Sequence, residues 1–109
     1  MKLNFSRMEE TALPQFRGGE GDTLLRSYSD GANKIMLGRL LPGTSIGMHC
    51  HETNSEIIYV LEGVGTMLCD GELETLPAGC GSYCPKGHSH SLRNEGESDL
   101  VFFAMVPEQ

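Results

Sequence analysis

His49 and His51 stand two residues apart, and Glu56 follows them inside a stretch bounded by Gly43 and Gly63. On an extended strand, side chains two apart leave the same face, with α-carbons about 6.6 Å apart. Two imidazoles at that separation can converge on one metal ion. Glu56 has the opposite parity and cannot join them on an unbroken strand. Glu52, Thr53, Asn54 and Ser55, polar and turn-prone, let the chain reset its phase, so that the carboxylate arrives from a neighbouring strand. A second constellation lies downstream, where Gly79, Gly81, Pro85 and Gly87 precede His88 and His90.

The first stretch reads G-x5-H-x-H-x4-E-x6-G at Gly43, His49, His51, Glu56 and Gly63. The second reads G-x5-P-x-G-x2-H-x3-N at Gly79, Pro85, Gly87, His90 and Asn94. In these motifs (43–63 and 79–94) the chain resembles the cupin superfamily, in particular its small single-domain conserved-barrel members, and no motif position is missing. The resemblance implies an all-β fold, the double-stranded β-helix or jelly-roll barrel. It also implies one divalent ion inside, with His49, His51, Glu56 and His90 as its four ligands.

Strands must position these residues. In the N-terminal edge segment, residues 1–21, Lys2 to Phe5 is expected to pair as an edge strand, Arg7 to Thr11 reads as a turn before Pro14, and Gly18, Gly19 and Gly21 make a loop. Thr23 to Tyr28 and Lys34 to Leu41 are strands separated by a turn at Asp30 and Gly31. Glu56, Ile58 and Val60 form the ligand-bearing face of the next strand, yet Ile57, Tyr59 and Leu61 on its reverse are equally apolar, and Leu100 to Val106 is apolar throughout. Strands apolar on both faces need cover outside as well as a core inside. That cover comes from a second sheet, the N-terminal segment or another subunit, and a homodimer is the expectation. Val64 to Leu68 and Leu73 to Leu76 form a hairpin, because Asp70 and Gly71 suit a type I′ turn. His90 starts the inward face of the strand after the second motif's corner. No segment has helical periodicity.

A chain of 109 residues is read as a single domain, 1–109. With 15 acidic against 8 basic side chains and a formal charge of -7, it has no basic cluster, which argues against nucleic acid or an anionic membrane surface as partner. No apolar run is long enough for a signal peptide or a membrane span, which points to the cytoplasm. There the four cysteines stay as thiols. Cys50, between the two histidines, points away from the ion and reads as a small buried hydrophobe. Cys84, beside Pro85, is the one cysteine near enough to the site to take part, although packing is the better account.

Three neutral imidazoles and a carboxylate suit iron, manganese, nickel, zinc or copper rather than calcium or magnesium. Four protein ligands on an ion that prefers six leave two adjacent positions for water, substrate or dioxygen. A metal there can polarise a carbonyl or acidify a bound water. His88 shares parity with His90: it either faces the cavity as a general acid or base, the one candidate catalytic residue, or sits exposed on the loop's outer lip. Tyr59 and Arg93 have the outward parity. Met48 or its neighbours, Ile58, Val60, Met67, Leu92 and one face of Leu100 to Val106 are expected to line the interior, with no evident basic group among them. Such a lining favours a small-molecule ligand held by the metal, an enol, a 1,2-diol or a carboxylate. The expected function is a small metalloenzyme of dioxygenase, isomerase or lyase type acting on such a ligand. The alternative is a non-catalytic, metal-dependent binding or sensing module.

Overall fold

In the computed structural model, which describes residues 1–109, the chain forms two antiparallel sheets. Alternating side chains in β2 (Asp22–Ser29) and β3 (Asn33–Leu40) build the first hairpin, whose turn is closed by Asp30. The Asp30 carboxylate accepts the N–H groups of Ala32 at 3.0 Å and Asn33 at 2.7 Å, an Asx turn of the kind aspartate favours. β10 (Leu100–Pro107) pairs with β3 on one side and with β5 (Glu56–Glu62) on the other. β1 (Thr11–Pro14) and β8 (Gly81–Cys84) complete a six-stranded sheet in the order β1-β2-β3-β10-β5-β8. The facing sheet contains β4 (His49–Cys50), β6 (Val64–Cys69), β7 (Glu72–Pro77) and β9 (Ser89–Arg93) in the order β4-β9-β6-β7. Asp70 and Gly71 take φ of 49° and 82° between β6 and β7, as a type I′ turn requires.

The inner faces pack on each other as a jelly-roll barrel. Leu25, Met36, Leu40, Ile58, Val60 and Phe102 come from the larger sheet and meet Met67, Leu76 and Leu92 from the smaller. Each such side chain, once buried, stabilises the fold by about 1.5–3 kcal/mol. No helix is long and apolar enough to cross a membrane.

Three expectations are corrected. The edge strand is Thr11–Pro14, not Lys2 to Phe5, and residues Phe5–Arg7 form a single 3-10 turn. Pro14 has no N–H to lose at a sheet edge, while Phe5 is better placed on the outer face. There it meets Phe103 edge-on, with ring centroids 5.8 Å apart, and its carbonyl accepts the Arg26 guanidinium at 3.0 Å. Met48 is 48% exposed, and Ile46 takes the core position instead. Met48 is one residue from His49 and takes the outward parity of Cys50; residues 44–48 are not a continuous strand, and the Ile46 N–H donates to Leu92 O at 2.8 Å, tying this segment to β9 with Ile46 in the core. Cys50 is exposed rather than buried, because β4 is the sheet's two-residue edge strand. The N-terminal turn covers part of the outer face of the six-stranded sheet, but Ile57, Tyr59, Leu61, Tyr83 and Met105 remain exposed.

Candidate metal centre

The smaller sheet supplies the histidines. His49 on β4 lies directly opposite His90 on β9. His51 follows β4 and is clamped by backbone: its N–H donates to His88 O at 3.0 Å and its carbonyl accepts the Gly87 N–H at 2.7 Å. Glu56 opens β5 opposite Cys84, in the six-stranded sheet. The chain changes sheets within residues 52–55. Parity therefore never had to be shared along one strand, and the carboxylate arrives from the facing sheet.

The four ligand atoms lie within 4.8 Å of one another. His90 Nε2 is 2.8 Å from Glu56 Oε1, 3.0 Å from His51 Nε2 and 3.2 Å from His49 Nε2. Glu56 Oε1 is 3.1 Å from His51 Nε2 and 3.8 Å from His49 Nε2. Such separations suit donors about 2.0–2.2 Å from one shared ion. The ring tautomers agree. His49 Nδ1–H donates to Gly47 O at 2.8 Å, and His51 Nδ1–H donates to Asn54 Oδ1 at 2.5 Å. In the neutral rings both Nε2 atoms then carry lone pairs that point at the Glu56 carboxylate. Converging lone pairs repel one another unless a cation or a proton sits between. His90 Nδ1 is buried without a partner, so no hydrogen bond on that side fixes its tautomer, and it is Nε2 that faces the other three ligand atoms. Burial disfavours the Glu56 charge, but where protons on the imidazoles take the place of an ion, their hydrogen bonds outweigh burial and hold the carboxyl far below its ordinary range. The cluster could hold a metal ion, and its donors are those of a transition metal.

Residues 36–106 match the Cupin domain family. This chain belongs to the cupin family. A Thermotoga maritima protein named oxalate-binding protein is 34% identical to it over 112 residues, covering 97% of this chain and 93% of its own length. The crystal structure of a Thermotoga maritima protein described as a predicted oxalate decarboxylase superposes on this cupin with a TM-score of 0.94 at 30% identity, over all of both chains. A sugar phosphate isomerase of the cupin superfamily from Silicibacter pomeroyi gives 0.80 at 19% identity, covering 100% of this chain and 76% of that one, a likeness of fold alone.

The second cupin motif ends in Asn94, which is buried and structural. Its amide donates to Leu40 O at 2.8 Å and Ser98 O at 2.9 Å and so ties the strand ends together. His88 is not brought to the cluster. Its ring is half exposed and pairs with Asp70, because β9 begins at Ser89 and His88 still belongs to the preceding turn. Only its backbone carbonyl reaches His51. Cys84 is fully buried beside Glu56, and burial pushes its thiol up to about 12, which leaves no thiolate for chemistry near neutral pH. Tyr59 and Arg93 are exposed.

A cavity of about 640 Å³ opens beside His49, His51 and Glu56. Its wall includes Phe16, Met36 and Phe102, but also Arg17, Lys34 and Glu52, so the expected absence of basic groups is overturned. Arg17 was not foreseeable from local pattern, since residues 16–20 fold against residues 45–47 far along the chain. Asn54 was legible only as part of a turn, although an amide three residues after a ligand histidine is the available clue.

Asn54 leads to the first expected result. Asn54→Ala removes the acceptor that fixes the His51 ring, and metal affinity should fall about 10- to 100-fold, read by competition with a chromophoric chelator. Unchanged affinity would show that the turn alone orients His51.

The second concerns pH. The hydrogen bond to Glu56 holds the His51 imidazole above its ordinary value, against burial and the charge of Arg17. The proton must leave before a metal binds, so affinity should weaken as pH falls, starting above the ordinary histidine range of about 6.5. The same competition at pH 8.0 and 5.5 should show at least about tenfold weaker binding at the lower value; a flat profile would oppose the assignment.

Proposed function

We propose that this cupin binds one divalent transition-metal ion, iron, manganese, nickel, zinc or copper, through His49, His51, Glu56 and His90. The ion's remaining positions hold a small chelating oxyanion, a short dicarboxylate such as oxalate. The observation that carries this reading is the convergence of three imidazole nitrogens and a carboxylate oxygen beside a cavity of about 640 Å³, a volume that suits a small molecule. The Thermotoga maritima relative named oxalate-binding protein, similar over nearly its whole length, supports the ligand class. When bound, the ion would polarise a chelated carboxylate or a bound water. The chain's own part is to present lone pairs in one place, with Gly47 O and Asn54 Oδ1 fixing two of the rings.

Turnover is the second reading, a small metalloenzyme of dioxygenase, isomerase or lyase type. Glu52 favours it, because this ionisable side chain lines the same cavity and can take or give a proton beside a ligand. The exposed apolar side chains Ile57, Tyr59, Leu61 and Tyr83 on one sheet face support a homodimer, and four free cysteines fit a reducing, cytoplasmic setting.

Titration calorimetry with oxalate tests the first reading. Metal-loaded protein should bind one oxalate per chain and chelator-stripped protein none. Equal binding by both forms would remove the metal from the account.

A further inference from the structure

The segment before β2 is fastened to the loop that leads into the metal ligands. The Gly47 N–H donates to Phe16 O at 3.0 Å, the Ser45 N–H to Glu20 O at 2.9 Å, and the Glu20 N–H to Ser45 Oγ at 3.0 Å. The backbones approach so closely that a β-carbon on Gly47 would lie 2.0 Å from Arg17 O, and one on Gly19 2.0 Å from Ser45 O. Within this clasp Gln15 and Arg17 adopt φ of 48° and 57°. A non-glycine residue persists in that region only where its surroundings hold it there, and such residues cluster at functional sites. Asp70, the remaining non-glycine residue with positive φ, is accounted for by its hairpin turn.

The clasp sets Arg17 on the cavity wall with His49, His51 and Glu52. Its guanidinium carbon lies 5.5 Å from the Phe16 ring centroid. Arg17 has no carboxylate partner. Arg39 takes Glu10 and Asp99, Glu56 faces the histidines, and Glu108 is held by Thr53 and Asn54. A strained backbone therefore presents an unpaired guanidinium beside a cluster of metal-type donors.

We propose that Arg17 is the specificity-determining residue of this cavity, its guanidinium taking the outer oxygens of a metal-chelated dicarboxylate. The inference rests on the metal-anchored reading above. A dicarboxylate such as oxalate chelates through one oxygen of each carboxylate and leaves two oxygens facing away from the ion. A guanidinium fork matches that planar, charged pair, and an ammonium does so less well. The site would thus favour dianionic chelators over chelators with no second carboxylate.

The test uses manganese-loaded protein and two probes, oxalate and acetohydroxamic acid, a chelator that binds through two oxygens and carries no carboxylate. Arg17→Gln should weaken oxalate binding about 10- to 100-fold, leave acetohydroxamic acid binding and manganese content unchanged, and be partly rescued in Arg17→Lys. If Arg17→Gln binds oxalate as the wild type does, the role of Arg17 is overturned while metal-anchored recognition stands. Equal weakening of both probes would also overturn it, by showing that Arg17 only maintains the site. Wild-type protein that carries manganese and binds neither probe would overturn the metal-anchored reading, and this inference with it.

Discussion

His90→Ala should take the protein from about one bound metal ion per chain to almost none. His90 Nε2 is the hub of the cluster, within 3.2 Å of the nearest ligand atom of each other member. Removing an outer hydrogen bond to a ligand weakens metal binding about 10- to 100-fold, and removing a ligand that touches all the others must exceed that. His49→Ala should behave in the same way. The fold should persist in both, because the core cluster contains neither histidine. The check is inductively coupled plasma mass spectrometry on protein without a histidine tag, with circular dichroism to confirm folding. Metal retained at one per chain in both variants would place the ion elsewhere.

Phe102→Ala should cause the largest loss of stability from a single truncation. Its ring is 1% exposed and sits over Gly38 on the adjacent strand, where an added β-carbon would lie 2.2 Å from the ring. Gly38 offers no side chain to fill the void, so truncation should cost about 3–5 kcal/mol, a large share of the roughly 5–15 kcal/mol that holds a typical domain together. Melting of the metal-free protein should shift down by more than about 10 °C. Gly38→Ala alone should also destabilise, by clash. In the Phe102→Ala background the same change should be neutral or restoring, because the methyl group then enters vacated space. Additive losses would show that ring and glycine do not share one volume.

Much of the centre was legible in the sequence for physical reasons. His49 and His51 share a face through strand periodicity, and the polar run 52–55 allows the change of sheet that brings in Glu56. The hairpin at Asp70 and Gly71 was legible because that turn chemistry is local. What escaped was decided by contacts between distant segments. Lys2 to Phe5 and Thr11 to Pro14 compete for one sheet edge, and the outcome depends on the pairing of Thr11 with Leu25 and on Phe5 finding Phe103. Met48, one residue from His49, has the outward parity of Cys50 and is exposed as that parity requires. His88 has inward parity one residue before its strand begins. Arg17 looks like loop filler until Gly47 provides the close approach that sets it on the cavity wall.

The most direct test of the account is water-proton relaxation with the manganese-loaded protein. If the four side chains hold the ion and leave positions open, bound manganese should show strong exchange with water, and oxalate should reduce that enhancement while manganese stays on the protein. An enhancement that oxalate leaves unchanged at saturating concentration, with the ion still bound, would contradict it.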